Sequence, residues 1–163
     1  MANASILQEL DQDFDTAEEW LLYYPERLKL YYQDLNYISG GGIASPEVFA
    51  QTGPGNIVLH KVISLSELDK TEKWLITVEM VQEMLGPKKR LFLDLRRKAA
   101  DRKKTVNGRE VWRSYVQKHY ADELARLYNG VPEKFWLNDN TITNWWNEIV
   151  ELLRLVALKR GCL

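Results

Sequence analysis

The sequence predicts an all-α protein with a helical N-terminal arm, a flexible linker and a helical body. Apolar residues recur at steps of three and four through most of the 163 residues. No stretch shows the apolar–polar alternation of a strand, and breaks rich in Gly and Pro separate the helical stretches. Hydrophobic residues make up 45% of the chain, which is enough to bury a domain core.

The N-terminal arm is predicted to be helical and acidic. Residues 4–15 predict a short helix, and the S/T-x-x-E pattern of Thr16–Glu19 predicts a second helix start. Pro25 predicts a kink in that helix, or a new helix that begins at Tyr24. An apolar series at 4-4-3-4-3 spacing follows the capping pattern: Trp20, Tyr24, Leu28, Tyr31, Leu35, Ile38. We interpret residues 1–38 as an arm for packing or oligomerisation.

Residues 39–55 are predicted to form a linker. They contain Gly40–Gly42, the Ser45-Pro46 pair and Gly53–Gly55, residue types that favour turns and flexible chain. The linker divides the arm from a body at residues 56–163.

The body begins with a long helical pattern from Asn56 to Leu85, which Gly86-Pro87 stops. Its apolar positions are Val58, Val62, Leu65, Leu68, Leu75, Val78 and Met84 or Leu85. A basic helix follows from Lys88 to about Asp101. We expect Leu91, Phe92, Leu95 and Ala99 to face inward and Arg90, Arg96, Arg97 and Lys98 to face outward.

A third body helix is predicted from about Arg109 to Tyr128, ended by Asn129-Gly130. Its inward positions are Trp112, Val116, Tyr120, Leu124 and Leu127. Before it, Val106–Gly108 predicts a turn. Asn-Gly is a hairpin signal, but the missing alternation on either side favours a simple loop.

The last helix is predicted to run from a cap at Asn138 or Asp139 to Arg160, with Gly161 closing it. Its apolar stripe comprises Ile142, Trp145 or Trp146, Ile149, Leu152 or Leu153, and Val156. Asn and Thr side chains crowd its first turns. Such side chains can read base edges, or they can be the polar front of a helix that docks on the core.

The formal charge of −1 hides a strong asymmetry. Residues 88–104 hold nine bases and two acids, whereas the first 26 residues hold seven acids and no Lys or Arg. The basic segment predicts contact with phosphate, and the acidic start argues against a secretory signal.

Other residue patterns argue against an enzyme, a metal site or a membrane protein. His60 and His119 lie in separate helices without an H-E-x-x-H motif, and no G-x-S-x-G motif occurs. No apolar run reaches the length of a membrane span, and the single cysteine, Cys162, predicts a reducing compartment. We therefore expect a cytoplasmic, non-enzymatic protein without cofactors.

Three motifs in order carry a resemblance to a known family. They are Leu85-Gly86-Pro87 with the basic helix through Arg96, the stretch from Leu137 to Ile149, and the ending Leu155–Gly161. Over about two-thirds of the chain this order resembles the ArpU/RinA-type phage transcriptional regulators, which are similar to the DNA-binding fourth region of sigma factors. The resemblance implies a C-terminal helix-turn-helix in residues 56–163 and a sequence-specific regulator of phage or prophage type.

The resemblance implies double-stranded DNA as a partner and RNA polymerase as a further candidate. The apolar series from Trp20 to Ile38 predicts a homo-oligomer formed through residues 16–38. The base-contact candidates are Asp139, Asn140, Thr141, Thr143, Asn144 and Asn147. The phosphate-contact candidates are Lys88, Lys89, Arg96, Arg97, Lys98, Arg102, Lys103 and Lys104. The alternative function is a non-enzymatic protein-interaction module, such as a phage assembly or packaging component.

Overall fold

A computed structural model describes residues 2–38, 54–100 and 105–163, with the side chains of residues 2 and 54–64 left out of the description. Its helices are α1 (Ala2–Leu22), α2 (Tyr24–Ile38), α3 (Pro54–Met84), α4 (Pro87–Lys98), α5 (Val111–Tyr128) and α6 (Asp139–Arg160). A 3-10 helix spans Pro132–Phe135, and a hairpin pairs β1 (Thr105–Val106) with β2 (Arg109–Glu110). The predicted all-α fold is confirmed, since the described chain has almost no strand.

The N-terminal arm divides at Tyr23. Pro25 is the second residue of α2, a position where its missing N–H would have had no partner within the helix. The prediction of a new helix at Tyr24 is therefore confirmed. The predicted start at Thr16 is wrong, because α1 runs through this position and the Thr16 hydroxyl donates a 2.8 Å hydrogen bond to the Gln12 carbonyl.

The second half of α1 belongs to the core of the body. Ala17 and Leu21 are fully buried, and α1 lies against α6. The Trp20 ring stacks on the Trp74 ring of α3 at 5.1 Å with the two planes nearly parallel. This half of the predicted arm is thus packed within its own chain.

Helix α2 packs against α3. Burial is the larger cause of a raised pKa in two tyrosines of α2, and carboxylates of α3 add to it: Glu79 raises the pKa of Tyr24, and Glu72 raises the pKa of Tyr31. Of the predicted linker, residues 39–53 lie outside the described residues, and Pro54-Gly55 forms the start of α3.

Helix α3 has bounds close to the predicted ones. Leu68, Leu75 and Val78 are buried as expected, whereas Leu65 is exposed. Of the alternatives Met84 and Leu85, Leu85 is the one that packs against the core, and Met84 is exposed. Val58 and Val62 lie outside the described side chains.

The expectation of a simple loop before α5 is wrong. Val106 pairs with Arg109, and Asn107 and Gly108 both have positive φ, at 54° and 76°. Positive φ at both central residues is the geometry of a two-residue type I′ turn, which matches the twist of the flanking strands. The turn residues therefore specify the hairpin without help from strand alternation.

Helices α4, α5 and α6 pack around one aromatic core. Phe92 and Leu95 of α4 and Ala99 at its C-cap are buried as predicted, as are Trp112, Val116, Tyr120 and Leu124 of α5. Leu127 is exposed, contrary to the prediction. Among the described helices none has the length and apolar character needed to cross a bilayer.

Candidate nucleic-acid interface

The N-terminal turn of α6 is fixed by a side-chain cap. The Asn138 side-chain oxygen accepts a 2.7 Å hydrogen bond from the Thr141 backbone N–H, so Asn138 is the cap of the two predicted candidates. Gly161 ends the helix in the left-handed conformation, as predicted. Both ends of α6 are therefore set by local sequence.

The inner face of α6 uses both tryptophans that the sequence offered as alternatives. Trp146 is buried, lies 6.4 Å from Trp112 and donates its indole N–H to Glu18 of α1 at 3.1 Å. Trp145 is half-buried and meets Phe92 and Tyr120 edge-on. Packing of Trp146 on one side and Trp145 on the other fixes the orientation of α6 about its own axis.

The outer face of the same turns carries three exposed carboxamides. Asn140, Asn144 and Asn147 lie at i, i+4 and i+7, within about 60° of the helix circumference at 3.6 residues per turn. We call these three residues the amide face. Each side chain offers one acceptor and two donors in the planar arrangement that matches an adenine edge.

The other predicted base-contact residues lie beside the amide face and have partners within the chain. Asp139 accepts a hydrogen bond from Arg109 at 2.7 Å, and the Thr143 hydroxyl accepts one from Arg113 at 2.8 Å. Thr141 is half-buried, with its backbone N–H held by the Asn138 cap. These residues fix α6 to α5 and β2.

Acidic side chains bound the amide face towards the second half of α6. Glu148 pairs with Lys89 of α4 at 2.6 Å, and Glu151 pairs with Arg154 at 2.5 Å. Carboxylates repel phosphate, so any duplex partner would meet only the first turns of the helix. In helix-turn-helix proteins it is also the N-terminal part of the recognition helix that meets base edges.

Two arginines that sequence reasoning missed flank the start of α6. Arg109 and Arg113 are half-buried and bind the first turns of α6, and buried Gln117 donates a 2.8 Å hydrogen bond to the Leu137 carbonyl. Arg113 and Gln117 lie one turn apart in α5, and their i, i+4 spacing was the available signal, because it predicts one side of a helix. That side faces α6.

The predicted outward position of Arg96 is wrong. Its side chain is 6% exposed, with the guanidinium 4.1 Å from the Trp112 ring centroid and 4.9 Å from that of Trp146. Burial lowers the pKa of Arg96 to about 10, against the opposing effect of Glu18 and then Glu110. An enclosed guanidinium cannot reach a phosphate, so Arg96 is removed from the phosphate-contact candidates.

Arg97 is also turned inward. Its Nε donates to the Leu21 carbonyl at 2.8 Å, one Nη donates to the buried Gln82 side chain, and the guanidinium lies over the Tyr24 ring. Burial lowers the pKa of Arg97 to about 10. These contacts join α4 to α1 and α3. Charge alone predicts an outward Arg97 because it takes no account of partners on other helices.

The remaining phosphate-contact candidates differ in availability. Lys88 and Lys98 are exposed, and Lys89 is engaged by Glu148. The stretch containing Arg102, Lys103 and Lys104 lies outside the described residues. Two exposed lysines of α4 thus remain, with Arg109 and Arg113 as new candidates beside the amide face.

Residues suited to metal binding do not gather in the part of the chain that is described. No group of three or more His, Cys, Asp and Glu side chains is placed to hold a metal ion there. The His119 ring contacts the Tyr115 ring at 4.1 Å, and the Cys162 sulfur lies 3.4 Å from the Thr77 hydroxyl. His60 falls outside the described side chains.

Residues 129–138, which join α5 to α6, are longer than the three- or four-residue turn of many helix-turn-helix proteins. The 3-10 helix in this connection lies against α5, and the hydrogen bond from Gln117 to the Leu137 carbonyl places the start of α6 beside the first half of α5. No family model, no curated protein and no solved structure matches this chain.

Proposed function

We propose that the protein is a sequence-specific DNA-binding transcriptional regulator of phage or prophage type, and that α6 reads bases in the major groove. The observation that carries the proposal is the amide face, three exposed carboxamides on a helix whose opposite side is locked by two tryptophans. A rigid backing matters because base reading requires side chains to hold their position relative to the duplex.

The chemistry of the amide face favours adenine. Asn forms a bidentate pair with adenine N6 and N7, whereas guanine is read mainly by Arg or Lys. Residues 139–153 contain no Arg, Lys or His, so α6 has no guanine-reading group over its first half. The Thr141 methyl group would suit a thymine methyl at the edge of the contact. We therefore infer a target with adenines at the contacted positions.

Phosphate contacts would come from outside α6. Lys88, Lys98, Arg109 and Arg113 are the described candidates, and they would set orientation rather than sequence preference. Arg109 and Arg113 would need to share their donors between α6 and a phosphate, which the several N–H groups of a guanidinium allow. A homo-oligomer and contact with RNA polymerase belong to the same proposal.

The test begins by selecting bound duplexes from a random pool. The Asn144→Ala variant should then lose about 1–3 kcal/mol on the selected site and little on random duplex. Gln8→Ala is the matched control, because it removes an exposed carboxamide from a helix elsewhere, and it should change neither affinity.

Replacing the selected adenines by 7-deazaadenine, which lacks the N7 acceptor, should reproduce the loss in the parent protein and add little in Asn144→Ala. A pool that yields no bound duplex would refute the regulator. A selected site without adenines, or an equal loss on selected and random duplex, would refute base reading by the amide face.

A second candidate function is a protein-interaction or assembly module. Leu155 and Leu158 are about half exposed further along α6, and exposed leucines one turn apart are typical of a contact with another protein. This module would give no salt-dependent shift of duplex DNA, so the same titrations separate the two candidates.

A further inference from the structure

The apolar stripe that buries α1 in the body continues into the first turns of the helix, where the described chain leaves it uncovered. Six residues lie within about 100° of the helix circumference at 3.6 residues per turn: Ile6, Leu7, Leu10, Phe14, Ala17 and Leu21. The last two are fully buried and Phe14 is half-buried, whereas Leu10 is 43% exposed and Leu7 is 63% exposed. We call Ile6, Leu7 and Leu10 the open stripe.

The open stripe belongs to a longer exposed stretch of helix. Every residue from 3 to 12 is exposed, so no side chain of these turns is buried. The second half of α1 lies against α6, and there the same stripe is part of the core. A helix placed on the open stripe would therefore extend an apolar contact that already exists within the chain, and three large apolar side chains would leave water.

Carboxylates border the open stripe on both sides. Glu9 and Asp13 lie within about 60° of one edge, and Asp11 lies about 40° from the other. Helix α1 as a whole carries six acidic residues and no base. An apolar stripe between two acidic borders is complementary to a helix whose own apolar stripe lies between two rows of Lys or Arg.

We propose that the open stripe is the docking site for a basic amphipathic helix of a partner protein. Long basic side chains suit such a site, because their aliphatic stems lie along apolar surface while their charged ends reach the bordering carboxylates. The same borders disfavour other occupants. A second α1 would bring like charges together, and the phosphate groups of a nucleic acid or an anionic membrane would be repelled. This proposal is independent of the proposed DNA-binding function.

The probe is a fluorescent peptide of about four helical turns, with Leu at the a, d and e positions of each heptad and Lys elsewhere. A matched peptide has the same Leu pattern and Glu in place of Lys. Fluorescence anisotropy with the full chain should show micromolar binding of the Lys peptide that weakens as salt rises. The Glu peptide should not bind.

Shortening the leucines tests the apolar contribution. Leu7→Ala combined with Leu10→Ala removes apolar area and keeps a good helix former at both positions, so it should weaken binding of the Lys peptide at least about tenfold. Leu155→Ala combined with Leu158→Ala is the matched control, because it shortens two leucines that are about half exposed on α6, and it should leave the affinity unchanged. Far-UV circular dichroism checks that both variants are folded.

Reversing the border charges tests the complementarity. Glu9→Lys combined with Asp11→Lys should weaken the Lys peptide and allow the Glu peptide to bind more tightly than it binds the parent protein. Asp122→Lys combined with Glu133→Lys makes the same change of net charge at exposed positions outside α1. This control should alter neither affinity by more than about twofold, because salt screens distant charges.

Hydrogen exchange locates the bound peptide, since docking on the open stripe should slow exchange of the backbone amides in residues 3–12. Sedimentation equilibrium of the parent protein and of Leu7→Ala with Leu10→Ala, both without peptide, tests for a second copy at the stripe.

Absence of binding by the Lys peptide would overturn the proposal, as would unchanged exchange in residues 3–12 when it binds. An unchanged affinity in Leu7→Ala with Leu10→Ala would reduce the interaction to charge attraction and overturn it as well. Equal binding of the Glu peptide would remove the role of the carboxylates. A dimer of the parent protein that the two alanine substitutions dissociate would give the stripe to a second copy instead, and this result too would overturn the proposal.

Discussion

Replacing Arg96 separates a structural role from a phosphate-binding role. Its guanidinium lies over two indole rings, and each such contact is worth up to about 2 kcal/mol when shielded from water. Its Nε and one Nη have no hydrogen-bond partner in the described structure. A buried N–H group without a hydrogen bond costs about 1–3 kcal/mol of stability. The ring contacts and the packed aliphatic stem should outweigh this cost. We expect Arg96→Ala to lower the free energy of unfolding by about 2–3 kcal/mol.

Arg96→Met tests the balance directly. Methionine keeps most of the stem volume, removes the charge and removes the unpaired N–H groups, so stability should stay within about 1 kcal/mol of the parent. Lys98→Ala on the same helix is the control, because Lys98 is exposed, and its effect should lie within about 0.5 kcal/mol. Urea unfolding at neutral pH followed by tryptophan fluorescence measures all three variants.

Duplex titrations complete the comparison if the protein binds DNA. Arg96→Met should leave the slope of log affinity against log salt unchanged, whereas a lysine in phosphate contact at position 98 should lower it by about 0.9 when removed. An unchanged unfolding free energy in Arg96→Ala, or a reduced salt slope in Arg96→Met, would refute the buried position of the guanidinium.

Three further substitutions test local features. Asn138→Ala removes the cap of α6 and should cost about 1 kcal/mol in urea unfolding, and an unchanged midpoint would contradict the cap. Gly108→Ala places a Cβ at a φ of 76° and should cost about 1 kcal/mol, so a higher melting temperature would contradict the hairpin turn. The hydrogen bond from Arg154 lowers the pKa of Glu151 below its ordinary value of 4.5, so its contribution is present above that pH and lost as pH falls through the lowered value. At pH 7 Glu151→Gln should lower the free energy of unfolding by up to about 1 kcal/mol, a value reduced by solvent screening. In strong acid the substitution should leave it unchanged.

Helix boundaries that depend on short local signals were predictable from the sequence. Gly86-Pro87, Asn138 and Gly161 act on their own neighbours in the chain, and each lies at a helix boundary. The Asn107–Gly108 turn was predictable by the same logic. The missing strand alternation favours a loop, but the dihedral preference of the turn residues outweighs it.

The inward position of Arg96 shows why its charge alone predicts the wrong side of the helix. Arg96 follows Phe92 by four residues and precedes Ala99 by three, so helical periodicity places it on the buried stripe. Its charge predicts an outward position, since burying an isolated charge is costly. The two tryptophans that offset this cost come from other helices and are distant in sequence, so no local pattern could identify them.

The amide face was predictable, but the groups that hold it were only partly so. Asn140, Asn144 and Asn147 follow from helical spacing alone. The bond from Trp146 to Glu18 joins residues far apart in the chain, and sequence gave no reason to connect α1 with α6. The tertiary fold decides such pairs.

The contact between α1 and α6 has a consequence for how the protein is made. Of the described helices α1 is synthesised first and α6 last, so the indole of Trp146 and the carboxylate of Glu18 meet only after nearly the whole chain has left the ribosome. Until then Leu21 and its neighbours lack their partners in α6. We expect a nascent chain halted before α6 to expose this apolar side to chaperones. If the chain is cleaved between α2 and α3, the two fragments should stay associated, because the cut leaves the contact between α1 and α6 intact.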